Sequence, residues 1–227
     1  LRRQRQMCIR DSGTDVYVRI IDYKTGKKDF NIVKTYYGID IQLMVYMEAA
    51  MKLVAKMRPG KNVIPAGVFY YNISDPIVSA TTESAEEIED KIKGELRLKG
   101  MVNSDKDIAE KMDNTEGTSL NIPVSRKADG GFDSRRSKVM NTEQFNILGR
   151  FVDVRAIDTA DRIAGGDIRR SPYKDGQFSS CDRCPYGAVC GFSVDLPGCN
   201  YRKLKKFDDE VLWNNIKAVS YTHLTLP

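Results

Sequence analysis

Two groups of residues in this sequence have the types and the spacing to do chemistry. The first is Asp22-Tyr23-Lys24 together with Gln42 and Tyr46. Residues two apart on a strand share a face. A carboxylate at 22 and an ammonium at 24 therefore point the same way from a strand end, where a divalent metal and a phosphate are both within reach. Tyr23 points to the opposite face. Gln42 and Tyr46 stand at i, i+4 and are neighbours on a helix. The second group is Cys181, Cys184, Cys190 and Cys199 at C-x2-C-x5-C-x8-C spacing, four of the five cysteines of the chain within nineteen residues. A disulfide framework belongs to secreted proteins, and no apolar secretory segment is visible, so a metal or cluster site is the better reading. Thiolates at C-x2-C spacing hold tetrahedral zinc or share an iron-sulfur cluster, and spacing alone does not decide between them.

These side chains need elements to position them. Val16, Val18 and Ile20 alternate with Tyr17, Arg19 and Ile21, as in a half-buried strand that delivers Asp22 and Lys24 at its end. Thr25-Gly26 ends that strand. A helical pattern follows from about Thr35 to about Met57, with Ile39, Leu43, Tyr46 and Met47 on one side, until Pro59-Gly60 breaks it. Val63 to Ile73 is rich in β-branched and aromatic residues and predicts a second sheet strand, with Pro65 near its start. Glu83 to about Gly100 predicts a charged surface helix with a narrow stripe at Ile88, Ile92 and Leu96, and a Glu89-Lys93 pair at i, i+4. A short helical piece follows at Asp105 to Asp113. The polar run Ile122 to Met140, with Gly130-Gly131, predicts a hairpin or ordered loop on the surface. A helix capped at Asn141 or Thr142 runs to about Ala164 with Phe145, Leu148 and Val152 on one face, and Gly165-Gly166 stops it. Ser171-Pro172-Tyr173 is extended and leads into the cysteines.

With 227 residues and 41% hydrophobic content the chain suits one large domain with an appendage. No apolar run approaches the length of a membrane span. Of the net charge of +5, the four arginines and Asp11 of the first twelve residues supply +3, so overall basicity is poor evidence for DNA binding. Three local basic patches remain candidates for phosphate contacts: Lys24-Thr25-Gly26-Lys27-Lys28, Ser125-Arg126-Lys127 and Arg135-Arg136-Ser137-Lys138. The two ends, LRRQRQMCIRDS and VSYTHLTLP, resemble translated sequencing-adapter read-through. Residues 1–12 and 218–227 are accordingly expected to be non-native tails, outside fold reasoning.

Asp22-Tyr23-Lys24 with Gln42-Leu43-Met44-Val45-Tyr46 resembles the active-site core of the PD-(D/E)xK nuclease superfamily, in its RecB-like branch. There a strand carries Asp-x-Lys and the following helix carries Gln-x-x-x-Tyr. The wording IIDYKTGKK followed by YYGIDIQLMVYM is most similar to the C-terminal nuclease domain of the AddB subunits of bacterial AddAB helicase-nucleases. That resemblance implies an α/β fold, a restriction-endonuclease-like mixed sheet flanked by helices, followed by a cysteine-rich iron-sulfur segment. It divides the chain into a nuclease domain at 13–175, a cysteine segment at 176–206 and a C-terminal helix at 207–217. It implies Mg²⁺-dependent, exonucleolytic hydrolysis of DNA in double-strand break repair by recombination, an AddA-type subunit as heterodimer partner, and the reducing cytoplasm.

Carried over residue by residue, Asp22 ligates Mg²⁺, with help from the Tyr23 carbonyl. Lys24 positions the water or neutralises charge on the phosphate, and Gln42 and Tyr46 orient the nucleophile or contact the DNA backbone. Cys181, Cys184 and Cys190, in Cys-x2-Cys-Pro-Tyr-x3-Cys-Gly-Phe, match three ligands of a 4Fe-4S cluster whose fourth ligand lies far upstream in the family. Cys8 falls in the suspected tail and is not counted; Cys199 is a candidate substitute. The family's further carboxylate, in a Gly-x-Ile-Asp-Arg-like run on the preceding strand, finds no match, and Asp15 is not promoted to it. The chain on its own is therefore expected to have little or no nuclease activity. Two alternatives stand beside this reading. One is a CRISPR-associated RecB-like iron-sulfur exonuclease, against which the long insert from about Thr81 to Met140 counts. The other is a non-catalytic zinc-binding module for DNA or protein, for which Asp22, Lys24, Gln42 and Tyr46 are coincidental.

Overall fold

The computed structural model describes residues 5–73, 75–78 and 84–222. Its main sheet has five strands in the order β1 (Arg5–Ser12), β2 (Asp15–Lys24), β3 (Asn62–Asn72), β4 (Lys99–Asn103) and β5 (Val139–Met140). β2 and β3 are parallel, as are β4 and β5, while β1 and β4 run antiparallel to their neighbours β2 and β3. The sheet is therefore mixed and flanked by helices, an α/β architecture. Among the described residues no helix is long and apolar enough to cross a membrane.

The alternation read in β2 separates two cores. Val16, Val18 and Ile20 face α2 (Gln42–Met57), which buries Leu43, Met44, Met47, Ala50 and Val54 against them. Behind α2 lie α5 (Thr142–Ala164) and α7 (Asp209–Thr222), adding Phe145, Leu148 and Phe151 from the first and Leu212 and Ile216 from the second. On the opposite face Ile21 and Phe69 meet Val102, Ala109, Ile122 and Val124. α5 begins as expected: Asn141 accepts from the Gln144 amide at 2.8 Å and Gln144 returns the contact to the Asn141 amide at 2.9 Å, a reciprocal cap.

Three expectations change. The helix expected from Thr35 to Met57 is two helices, α1 (Ile32–Tyr36) and α2. Gly38, at φ +76°, closes α1 by donating to Thr35 while Ile39 donates to Lys34, and this paired closure turns the chain before α2 can start. Ile39 thus lies in the turn rather than on the helix face. The charged helix is α3 (Ala85–Leu96), a surface helix with no buried residue, but it stops at Arg97, and Lys99 to Asn103 form β4. Its expected first residue, Glu83, and the start of the insert at Thr81 lie outside the described residues.

The run from 122 to 140 is ordered but does not stay on the surface. Ile122 and Val124 are buried beneath the sheet, because the Arg97 side chain donates to both their carbonyls, at 2.8 and 3.0 Å, and draws the segment inward. The short helix at 105–113 appears as α4 (Lys106–Met112), capped by Asp105.

Residues 5–12, expected as tail, form β1 against β2, and residues 218–222 continue α7, where the Ser220 hydroxyl is buried. Residues 1–4 and 223–227 lie outside the described residues. The cysteine segment is built around a small second sheet, β6 (Tyr173–Asp175) between β7 (Phe178–Ser179) and β8 (Arg202–Lys203). It is tied to the turn after α1: Tyr37 accepts from the Lys205 amide at 2.9 Å and stacks on Phe207.

Candidate active site

The end of β2 and the start of α2 bring Asp22, Lys24, Gln42 and Tyr46 into one chain of contacts. Asp22 and Lys24 share the α2-facing side of the strand, and Lys24 Nζ lies 2.6 Å from Asp22 Oδ2. The same ammonium donates to Gln42 Oε1 at 2.8 Å, and Gln42 Nε2 donates to the Tyr46 hydroxyl at 2.7 Å. Gln42 reaches Lys24 because the Gly38 closure places it in the first turn of α2, directly over the strand end.

Asp22 is 0% exposed, and among the described residues neither of its carboxylate oxygens accepts a hydrogen bond. Lys24 is close enough to count as an ion pair but is not aligned as a donor, so the contact is electrostatic. Burying a carboxylate without hydrogen bonds is costly unless a cation compensates. One ammonium, itself shared with Gln42, compensates in part and leaves acceptor directions open.

Tyr70 was not anticipated. It pairs with Asp22 across the β2–β3 ladder, in a register set by a bulge between Val18 and Arg19, opposite Pro65, which cannot donate to the ladder. Its ring lies under two ammoniums, Lys24 Nζ at 5.4 Å and Lys28 Nζ at 5.8 Å from the centroid. Burial, then the Asp40 and Asp22 carboxylates, push its hydroxyl well above the usual phenol range, so it stays protonated. Lys28 in turn pairs with Asp40, which is nearly buried. Lys28 was visible in sequence only as one member of a basic patch, and Asp40 carried no signal because its partner is distant from it in any regular periodicity.

A divalent metal fits the Asp22 end of this site as far as one ligand: a buried carboxylate with unused acceptor directions. Among the described residues no group of three or more His, Cys, Asp or Glu side chains is gathered to complete a metal site. The same holds for the cysteines. Cys181, Cys184, Cys190 and Cys199 are free thiols, Cys184 exposed and the others half-buried. The Cys184 amide donates to Cys181 at 3.1 Å in a tight turn, and α6 (Gly187–Cys190) ends at Gly191 with φ +61°. The segment holds thiols of the right chemistry on neighbouring turns, without drawing three of them together.

Residues 9–191 match the family model of the PD-(D/E)XK nuclease superfamily. The chain is 39% identical over 203 residues to the B-type subunit of the ATP-dependent helicase/deoxyribonuclease of Clostridium botulinum, covering 88% of this chain and 18% of that protein. It is 37% identical over 213 residues to the protein of the same name from Clostridium acetobutylicum, covering 93% and 18%. Against that of Thermoanaerobacter pseudethanolicus it is 35% identical over 209 residues, covering 91% and 18%. The chain thus spans 18% of the length of these curated relatives. The family match runs through the mixed sheet, the Asp22 strand, the Gln42 helix and the first cysteines, and on that ground the chain belongs to the PD-(D/E)XK nuclease superfamily.

Proposed function

We propose that this chain is the nuclease domain of a helicase-nuclease subunit and that its Asp22 site hydrolyses DNA phosphodiester bonds with Mg²⁺. The observation that carries this reading is the buried Asp22 carboxylate, without a hydrogen bond and held beside an ammonium that Gln42 and Tyr46 keep in place. Asp22 offers an oxygen ligand, the donor type that magnesium takes. Bound there, the ion supplies Lewis-acid polarisation of a phosphoryl oxygen and a water of lowered pKa. Lys24 offers a fixed positive charge to the phosphate as negative charge grows on it. Gln42 accepts from Lys24 and donates to Tyr46, which restricts the ammonium to the strand end.

The relatives' shared name supports an ATP-dependent setting, an AddA-type partner and a role in break repair in the cytoplasm. Cys181, Cys184 and Cys190 are proposed to bind a 4Fe-4S cluster, with the fourth ligand open and Cys199 a candidate for it. Anaerobic reconstitution with iron and sulfide tests this. Brown protein whose iron content falls in Cys181→Ser and Cys184→Ser supports the cluster, whereas colourless, zinc-loaded protein supports the zinc-module alternative.

The catalytic reading is tested in a chimera. Residues 13–206 replace the matching stretch of the Clostridium botulinum relative, prepared together with the partner protein of that relative. The chimera is expected to degrade DNA in Mg²⁺, and Asp22→Ala to abolish degradation while leaving ATP-driven unwinding intact. Undiminished degradation in Asp22→Ala overturns the reading.

A further inference from the structure

Two of the three basic patches noted in the sequence meet in space, and the third does not join them. Arg126 turns inward, donating to the Thr115 carbonyl at 2.6 Å and to the Asp113 carbonyl, and is occupied in holding the insert together. Lys27-Lys28 and Arg136–Lys138, more than a hundred residues apart in sequence, line one cleft of about 410 Å³, and Lys99 at the start of β4 lines it with them.

That cleft is continuous with the Asp22 site. Asn72, the ladder partner of Lys24, is in its wall, and its side chain pins the Lys28 backbone by two hydrogen bonds of 3.0 and 3.1 Å. Lys99 pairs with Tyr70, which pairs with Asp22, so the three stand in one row across β2, β3 and β4. Adjacent strands are about 4.8 Å apart, which puts Lys99 roughly 10 Å from Asp22 along the row. Lys28 links the two sites directly, since its ammonium lies over the same Tyr70 ring as Lys24.

Cations dominate the lining, and several are available. Asp29 and Glu95 are its carboxylates. Asp29 is paired with Lys138 at the exposed rim, a contact of little net strength that an incoming phosphate can replace. Among the described residues Lys27 and Lys99 make no ion pair, and Arg136 Nε only reaches 4.0 Å from Asp133. The lining holds no aromatic ring, so it lacks a platform on which bases stack. Its volume is that of a small-ligand site, about 300–1,000 Å³, and admits one strand rather than a duplex.

We propose that this cleft is a track for the sugar-phosphate backbone of a single DNA strand running to or from Asp22, read by charge and not by base. The proposal rests on the reading of the Asp22 site as one that hydrolyses DNA. It is tested by binding alone, in EDTA and without cleavage, using the 227-residue chain and a fluorescent oligodeoxythymidylate followed by anisotropy across a salt series. The chain is expected to bind the single strand more tightly than a duplex of equal length. Lys27→Gln/Lys99→Gln/Arg136→Gln is expected to weaken binding at least about tenfold at low salt and to reduce the salt slope by about 0.7 per charge removed. Asp22→Asn is expected to bind as the parent does. A control that removes three charges elsewhere, Lys56→Gln/Lys203→Gln/Lys217→Gln, is expected to keep the slope, and matching circular-dichroism melts establish that all variants are folded. No binding by the parent chain, an unchanged slope in the cleft variant, an equal loss in the control, or duplex bound as well as single strand each overturns the track. Cleavage lost in the Asp22→Ala chimera would still stand in any of those cases, so the two readings fail separately.

Discussion

Gln42 Oε1 accepts a 2.8 Å hydrogen bond from Lys24 Nζ, joining the first turn of α2 to the last residue of β2. Tyr46 enters the contact only through Gln42, one helical turn further on. In the chimera, Gln42→Ala is expected to lower DNA hydrolysis by roughly ten- to a hundredfold, the rate equivalent of about 1.5–3 kcal/mol for a hydrogen bond to a charged group. Tyr46→Phe is expected to cost less, and the double variant to lose no more than Gln42→Ala alone, because both act on one ammonium. Initial rates of the four proteins measure this; additive losses would separate Tyr46 from Lys24.

The orphaned Asp22 carboxylate predicts a metal-dependent gain in stability. Mg²⁺ is expected to raise the melting temperature of the chain in proportion to occupancy, by the equivalent of about 2.7 kcal/mol at a hundred times the dissociation constant. Asp22→Ala is expected to remove the gain. Scanning calorimetry over a magnesium titration reads both, and an identical gain in the variant would place the ion elsewhere.

Asp113 anchors the insert and makes it sensitive to acid. Burial pushes its carboxyl up, but hydrogen bonds from Ser119, Thr115 and Asn121 outweigh that and hold it at about 2, against 3.8 in the unfolded chain. A depressed folded value means that the stabilisation is complete above about pH 4 and disappears as pH falls through 2. Its size is about 2 kcal/mol. Asp113→Asn is expected to be less stable than the parent by that amount at pH 7, with the gap closing between pH 4 and 2. Urea titrations at several pH values follow it; a gap independent of pH would rule out the carboxylate as its source.

Two glycines predict opposite tolerance to alanine. A Cβ at Gly100 would lie 1.9 Å from the Val68 carbonyl oxygen, in the backbone of the neighbouring strand, and cannot be relieved by a rotamer. Gly100→Ala is expected to cost about 3 kcal/mol or more. At Gly149 the obstacle is the Glu48 carboxylate, 1.7 Å away but at the end of a flexible side chain. Glu48 is already held above the usual carboxylate range by burial and by Asp153. Gly149→Ala is expected to move it toward water and to recover up to about 1 kcal/mol of helix propensity, for a net change near zero. Paired thermal melts distinguish the two.

How much of the site was legible follows from which contacts are local. Strand parity placed Asp22 and Lys24 on one face and Tyr23 on the other, and i, i+4 spacing made Gln42 and Tyr46 neighbours; both relations are set within a few residues. The capped start of α5 at Asn141 and the surface character of α3 were readable for the same reason. Termination of α1 was less so, since Gly38 ends a helix only when the carbonyls behind it are free to accept its closure. Burial of Ile122 and Val124 went unread because it depends on Arg97, more than twenty residues earlier.

The residue types and spacings alone determined that a carboxylate, an ammonium, an amide and a phenol would be presented in pairs, and that four thiols would share one short segment. Only the tertiary structure decided that the two pairs meet, because the Lys24-Gln42 distance depends on how the chain turns at Gly38. The bulge opposite Pro65 set Tyr70 beside Asp22, and packing of the insert under the sheet carried Lys138 to Lys27. Contacts of that kind are fixed by the path of the intervening chain and by the hydrophobic faces it must bury, and local periodicity carries no information about either.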